Sequence, residues 1–164
     1  MRRLILMRHA EAEPNSTTGD IGRALSVRGK ADAQAMGRAL AGRGLRPDLA
    51  LVSTARRAQE TWDQASHAFG DVVTEIDRVI YEAGPGELRA LIEAAEDRSG
   101  TLVLVGHNPA IHRLAVDLMI DQAAAPSTLE RLSGGFPPGA AVIFVADTAG
   151  RLTYDGFLRP GDLA

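Results

Sequence analysis

Short apolar runs alternate along the chain with stretches whose apolar residues recur every three or four positions. Arg3–Met7 reads as a buried strand, being short, apolar and followed at once by polar residues. Ala10 to Leu25 is polar, with Pro14, Asn15, Ser16, Thr17, Thr18 and two glycines, which marks a loop. Ser26 is placed to cap a helix reaching about Ala41, with Val27, Ala31, Ala35, Met36, Ala39 and Leu40 at helical spacing. Gly42 and Gly44 stop it. Leu49–Val52 reads as a second buried strand. Ser53 or Thr54 then caps a helix to about Phe69, whose inner face is Ala58, Trp62, Ala65 and Phe69.

The same alternation continues. Val72–Ile76 reads as a strand, with Ile80 as its outer limit. Pro85 opens a third helix with an apolar stripe of Leu88, Leu91, Ile92 and Ala95. Thr101–Val105 is the clearest strand, and Gly106-His107-Asn108-Pro109 turns from it into a helix ending near Ala125. Asn108 and Pro109 suit its N-cap and first turn. Pro126 to Pro138 reads as irregular. Ala140–Ala146 and Leu152–Leu158, joined by Asp147-Thr148-Ala149-Gly150, read as a hairpin. Together these elements predict a three-layer α/β/α sandwich with a mainly parallel sheet and an antiparallel edge hairpin near the C-terminus. One domain across residues 1–164 is expected from the length.

Composition narrows the function. At 45% hydrophobic and 24% charged residues, the chain can fill a core and is not of a disordered or fibrous type. It has no cysteine, which excludes disulfides, thiolate metal sites and cysteine nucleophiles. A net charge of −3 argues against nucleic acid as a partner. No apolar run approaches the roughly 20 residues needed to cross a bilayer, so no membrane partner is expected. Met1-Arg2-Arg3 followed by Leu4–Met7 looks like the start of an export signal, but Arg8 and His9 interrupt it short of the required apolar stretch of about 7–15 residues. A cytoplasmic location is expected.

In open α/β sheets, ligands sit outside the carboxyl ends of the strands. Arg8 and His9 follow the first strand, Ser53 the second with Arg57 one helical turn on, and Gly106 and His107 the fourth. Two histidines and two arginines from three segments therefore gather on one rim. Taken singly, a histidine after a strand is more often structural, and an arginine near a helix start is usually solvated. Yet a cation in a helix's first turn opposes the helix dipole, and an anionic ligand would account for Arg57 there. The helix start after His107 offers free amides, which also attract anions.

Arg8-His9-Ala10-Glu11-Ala12 resembles the Arg-His-Gly/Ala signature of the histidine phosphatase superfamily, the phosphoglycerate mutase-like group. Ser53-Thr54-Ala55-Arg56-Arg57-Ala58-Gln59-Glu60-Thr61 is similar to its second motif, Ser-Pro-x-x-Arg-Ala-x-Gln-Thr. Gly106-His107-Asn108-Pro109 matches the third, and Leu25-Ser26-Val27-Arg28-Gly29 fits the family's Leu-Thr/Ser-x-x-Gly helix start. Counting from Ser53 selects Arg57 rather than Arg56 as the family's arginine. Thr54 stands where the family has proline, and Glu60 where it has glutamine. The short segments between motifs and the Gly-His-Asn-Pro form resemble the SixA-type branch, the protein phosphohistidine phosphatases.

The resemblance implies phosphoryl transfer through a covalent phosphohistidine on His9, with Arg8, Arg57 and His107 holding the transferring group and His107 cationic while phosphate is bound. It implies no metal and no cofactor. Glu82, in Tyr81-Glu82-Ala83-Gly84-Pro85-Gly86, resembles the segment carrying the general acid in many relatives, although an exposed loop glutamate fits the sequence equally well. Asn15, Ser16, Arg23 and Asn108 are further candidates for lining the pocket. The expected partners are a phosphorylated protein of the histidine phosphotransfer type and a phosphate or other oxyanion. A small-molecule phosphomonoesterase, less favourably a mutase, and a catalytically silent phosphate-binding module remain as alternatives.

Overall fold

Strand side chains point alternately to opposite faces, and that period of two builds two cores on one sheet. A computed structural model describes residues 1–163. In chain order the elements are β1 (Arg3–Arg8), α1 (Val27–Gly42), β2 (Leu49–Ser53), α2 (Arg56–Ser66), β3 (Val73–Asp77) and α3 (Val79–Glu82), then α4 (Pro85–Ala95), β4 (Thr101–Gly106), α5 (Ala110–Asp121), α6 (Pro126–Ser133), β5 (Ala141–Ala146) and β6 (Leu152–Leu158). The strands form one mixed sheet in the order β3-β2-β4-β1-β5-β6. β1 to β4 are parallel, and β5 joins β1 antiparallel and makes the terminal hairpin with β6.

Leu4, Leu6, Leu51, Leu102 and Leu104 face one way, into a core closed by Leu88 and Ile92 of α4, Ile111 and Leu114 of α5, and Leu132 of α6. Ile5, Met7, Val52, Val103 and Val105 face the other way, against Met36 and Leu40 of α1 and Ala58, Trp62 and Ala65 of α2. Among the described residues, no helix is long and apolar enough to cross a membrane.

The register matters most for function. Arg8 pairs with Gly106 and Val52 with Val105, so β1, β4 and β2 lie side by side with their carboxyl ends level. Whatever follows these strands emerges at one edge.

Several local expectations are corrected. The apolar face of α1 is Ala33, Met36 and Leu40, while Val27 is 87% exposed. Small residues dominate that helix, so spacing alone does not fix its phase; Gly37 fixes it, because a Cβ there would lie 2.2 Å from the Ala65 carbonyl oxygen. Neither Ser53 nor Thr54 is the N-cap of α2. Ala55 holds that position, and the Ser53 hydroxyl accepts the Ala55 N–H at 3.2 Å from its place at the strand end. Phe69 lies beyond α2 yet stacks on Trp62 at 6.0 Å. β3 ends at Asp77, and Ile80 belongs to the short α3, buried by the sheet. Pro109, not Asn108, precedes α5, and the Asn108 amide turns instead to the Phe136 carbonyl at 2.8 Å. Residues 126–133 form α6, because Pro126 suits a first helical turn and Leu132 reaches the core.

Candidate active site

His9 sits at the end of β1, tied to its neighbours through the main chain: its N–H donates to Gly106 at 3.0 Å and its carbonyl accepts from Gly139 at 2.9 Å. The residue is only 8% exposed. Its Nδ1 lies 2.8 Å from the Ala10 carbonyl, which can only accept, so Nδ1 carries the proton and Nε2 keeps its lone pair. The His107 ring, at the end of β4, lies 5.2 Å from the His9 ring, tilted by 52°. From the end of β2, Ser53 Oγ meets His107 Nε2 at 2.8 Å, and Tyr81 packs edge-on against the same ring at 5.5 Å.

Two guanidiniums complete the cluster. Arg8 Nη1 donates to the Phe136 carbonyl at 3.0 Å, which the Asn108 amide also uses. Arg57 is 6% exposed and donates from Nη1 to the Asp20 carbonyl at 2.8 Å and from Nη2 to the Asp20 carboxylate at 3.1 Å. Its backbone is fixed by Thr61, whose hydroxyl donates to the Arg57 carbonyl at 2.6 Å and accepts the Ala10 N–H at 2.9 Å. One buried hydroxyl thus couples the two segments that carry His9 and Arg57.

The electrostatics follow from burying cations together. Burial, reinforced by His107, Arg57 and Arg8, pushes the His9 imidazole down from 6.5 to about 3 against the opposing pull of the Ala10 hydrogen bond. Burial and then Arg57 push His107 down to about 4. Both rings are therefore neutral near pH 7 in the free protein. Asp20 is also lowered, to about 2, first by the Tyr81 hydroxyl and then by Arg23 and Arg57, which keeps its carboxylate charged. Among the described residues, four buried side-chain atoms lack a hydrogen-bond partner, Arg8 Nε, Arg57 Nε, His107 Nδ1 and Asn108 Oδ1, and all four belong to this cluster. Buried polar atoms are normally paired, so this concentration marks a place prepared for a ligand.

The other candidates are distributed around it. Glu82 is exposed and lines, with Tyr81, Gly84, His107, Asn108 and Arg113, a cavity of about 270 Å³ at the mouth of the site. Arg23 does not touch the rings but binds the Asp20 carboxylate at 3.0 Å. Ser16 bonds the Gly19 carbonyl and so shapes the loop before Asp20, and Asn15 is exposed on that loop. Arg56 points away from the cluster and pairs with Glu60 at 3.1 Å; the other oxygen of Glu60 holds the Leu25 N–H at 2.8 Å. Among the described residues, no group of three or more His, Asp or Glu side chains is placed to hold a metal ion. Asp20 lies outside every motif of the sequence, and Tyr81 and Thr61 stand inside motifs that gave them no role of their own. Asp20 is one of several polar residues in a loop without periodicity, and only the folded loop brings it to Arg57.

A family model described as histidine phosphatase superfamily (branch 1) matches residues 4–99. The chain belongs to the histidine phosphatase superfamily. It is a phosphatase. An uncharacterised protein of Mycobacterium tuberculosis is 33% identical over 141 residues, covering 85% of this chain and 87% of that one. A putative phosphohistidine phosphatase SixA from Agrobacterium tumefaciens is 28% identical with a TM-score of 0.84, covering 97% of this chain and 99% of that one. A phosphoserine phosphatase from Entamoeba histolytica shares the fold at 18% identity and a TM-score of 0.68, over 97% of this chain and 98% of that one. The segments that resemble the family's motifs fall at the level ends of β1, β2 and β4, the sheet edge where the four unpaired polar atoms lie.

Proposed function

We propose that this phosphatase removes phosphate from phosphohistidine carried by a protein, through a phosphohistidine formed on its own His9. His9 Nε2 attacks phosphorus; the bond from phosphorus to the substrate's imidazole nitrogen breaks, and that nitrogen leaves with the bond's electron pair and takes up a proton. Water then attacks the phosphorus on His9, releasing inorganic phosphate and restoring the free imidazole. A low pKa keeps the His9 nucleophile unprotonated at any physiological pH.

Arg8, Arg57 and His107 hold the phosphoryl oxygens, the unpaired Nε atoms and His107 Nδ1 being the donors left free to do so. Ser53 Oγ accepts the Ala55 N–H, and its own hydrogen is free to donate to His107 Nε2; the neutral ring then carries its proton on Nδ1, as a donor to phosphate. When the anion arrives, its charge offsets the guanidiniums and His107 takes up a second proton. Glu82, at the mouth, is the proton source for the leaving imidazole. Asn15, Ser16, Arg23 and Asn108 shape the surrounding wall, Arg23 through Asp20.

One observation carries the choice of a protein substrate: the mouth is uncovered. Between α2 and α3 the chain spends its length on β3 and two turns, leaving no helical segment to close over His107. A protein-borne imidazole can approach such a site, and a single domain of this size is all the reading requires. The test is release of phosphate from a phosphorylated histidine phosphotransfer domain, with His9→Ala as control. The likeness in fold to a phosphoserine phosphatase supports a second reading, hydrolysis of a small phosphate ester by the same groups. Brisk turnover of phosphorylated metabolites with none of the phosphorylated domain would establish that second reading instead.

A further inference from the structure

Thr61 is wholly buried, and its hydroxyl makes two hydrogen bonds of very different reach. It donates to the Arg57 carbonyl, one turn back on α2, at 2.6 Å. Threonines inside helices often do this, and that bond alone carries no message about chemistry. The second bond crosses 51 positions: the same oxygen accepts the Ala10 N–H at 2.9 Å. Among the described residues that buried N–H has no other partner.

What hangs on Ala10 is the proposed nucleophile. The Ala10 N–H and the His9 carbonyl belong to one peptide unit, held on one side by Thr61 and on the other by the Gly139 N–H at 2.9 Å. A peptide unit is planar, so these two bonds fix its orientation. The next carbonyl, that of Ala10, takes the His9 Nδ1 proton at 2.8 Å and so sets which way Nε2 faces. At its other bond the Thr61 hydroxyl holds the first turn of α2, from which the Arg57 guanidinium reaches the site. One oxygen therefore spans the support of the nucleophile and that of an arginine facing it. Attack needs the reacting atoms about 3–3.5 Å apart, and a misplacement of about 1 Å can cost about 10² in rate.

We infer that Thr61 is a positioning residue, whose hydroxyl sets the distance and angle between His9 Nε2 and the phosphoryl group that Arg57 holds. This rests on the proposed role of His9 as nucleophile. Thr61 acts on the rate of transfer and not on the grip on phosphate, because Arg8, Arg57 and His107 all keep their donors when it is replaced.

The experiment follows label from radiolabelled phosphoramidate to His9 by rapid quench, alongside the inhibition constant of inorganic phosphate. In this step the bond from nitrogen to phosphorus breaks, ammonia leaves and phosphorus joins Nε2. Thr61→Val keeps the shape and removes the hydroxyl, whereas Thr61→Ser keeps the hydroxyl. Leu40→Ala, at a buried position on α1 one turn beyond Gly37, is the control for lost stability. Thr61→Val is expected to label about tenfold to a hundredfold more slowly, with the phosphate constant within about threefold of wild type. Thr61→Ser is expected to recover most of the rate. Leu40→Ala is expected to melt earlier yet label as fast as wild type. Wild-type labelling in Thr61→Val would overturn the inference, as would Thr61→Ser being as slow as Thr61→Val, or an equal loss in Leu40→Ala. Phosphate binding that weakens in step with the rate would also overturn it, because the hydroxyl would then be shaping the anion site as a whole. If Thr61→Val does not fold, Thr61→Cys takes its place, its sulfur being a weaker acceptor, and unchanged labelling there overturns the inference. Wild type that takes no label on His9 would refute the proposed nucleophile itself, and the positioning role with it.

Discussion

Arg57 gives both of its terminal nitrogens to a single residue, Asp20, at 2.8 Å to the carbonyl and 3.1 Å to the carboxylate. The guanidinium is buried and the carboxylate half exposed, with side-chain exposures of 7% and 54%. On the proposed mechanism, a carboxylate held there stands in for part of the charge of a phosphate and would compete with one. Asp20→Asn keeps the shape and the main-chain contact but removes the charge. Inorganic phosphate is therefore expected to inhibit this variant several-fold more tightly than wild type, read as a product-inhibition constant. Weaker inhibition would mean that the carboxylate serves mainly to hold Arg57 in place.

The two neighbouring arginines separate cleanly. Arg57→Ala removes a buried cation facing His9 and is expected to lower kcat/KM by about 10²–10³. Arg56 is exposed and paired with Glu60 four residues on, so Arg56→Ala is expected to stay within about twofold of wild type. Steady-state kinetics on one substrate decide it. The reverse pattern would move the phosphate-binding role to Arg56.

Burial holds His9 at about 3 and His107 at about 4 in the folded protein, against 6.5 for an ordinary histidine. The unfolded chain then binds protons that the native state refuses, so native stability falls as pH drops from about 6.5 toward 4. Above 6.5 both states are neutral and the effect vanishes. A thermal-melt series over this range is expected to show the decline, and His107→Gln to make it shallower.

Anion binding has the opposite sign. Sulfate keeps its charge across this range, and its field favours protonated His107. Its affinity is expected to tighten as pH falls from neutrality toward about 4, with proton uptake visible by calorimetry in buffers of different ionisation enthalpy. In His107→Gln that pH dependence should flatten. A flat profile in wild type would show that His107 stays neutral beside the anion.

Much of the fold was legible because strand and helix periods differ. Leu4 to Met7 and Leu102 to Val105 read as buried strands, and the groups following them share an edge once the sheet is parallel. What stayed hidden came from residues without a period. Ala33 and Gly37 outrank Val27 on the inner face of α1 because backbone proximity to Ala65, not hydrophobicity, sets the helix phase. Asp20 reaches Arg57 only through the path of a polar loop, and Asn108 turns to Phe136 because the chain 28 positions away comes back over it. No local pattern encodes a contact of that range.

Gly37 offers a test of that packing apart from catalysis. Gly37→Ala forces a methyl into the Ala65 carbonyl, so α1 and α2 must separate. The expected cost is about 1–3 kcal/mol, read as a lower urea midpoint with an unchanged slope. An unaltered midpoint would mean that the two helices shift apart freely.

The most direct measurement is capture of the covalent intermediate. A substrate carrying radiolabelled phosphoryl is mixed with enzyme and quenched in alkali, which preserves phosphohistidine, and the labelled peptide is mapped. Label on His9, absent from His9→Ala and lost to acid, is the expected result. Turnover with no label on the protein, or label on any other residue, would contradict a mechanism built on the bare Nε2 of His9.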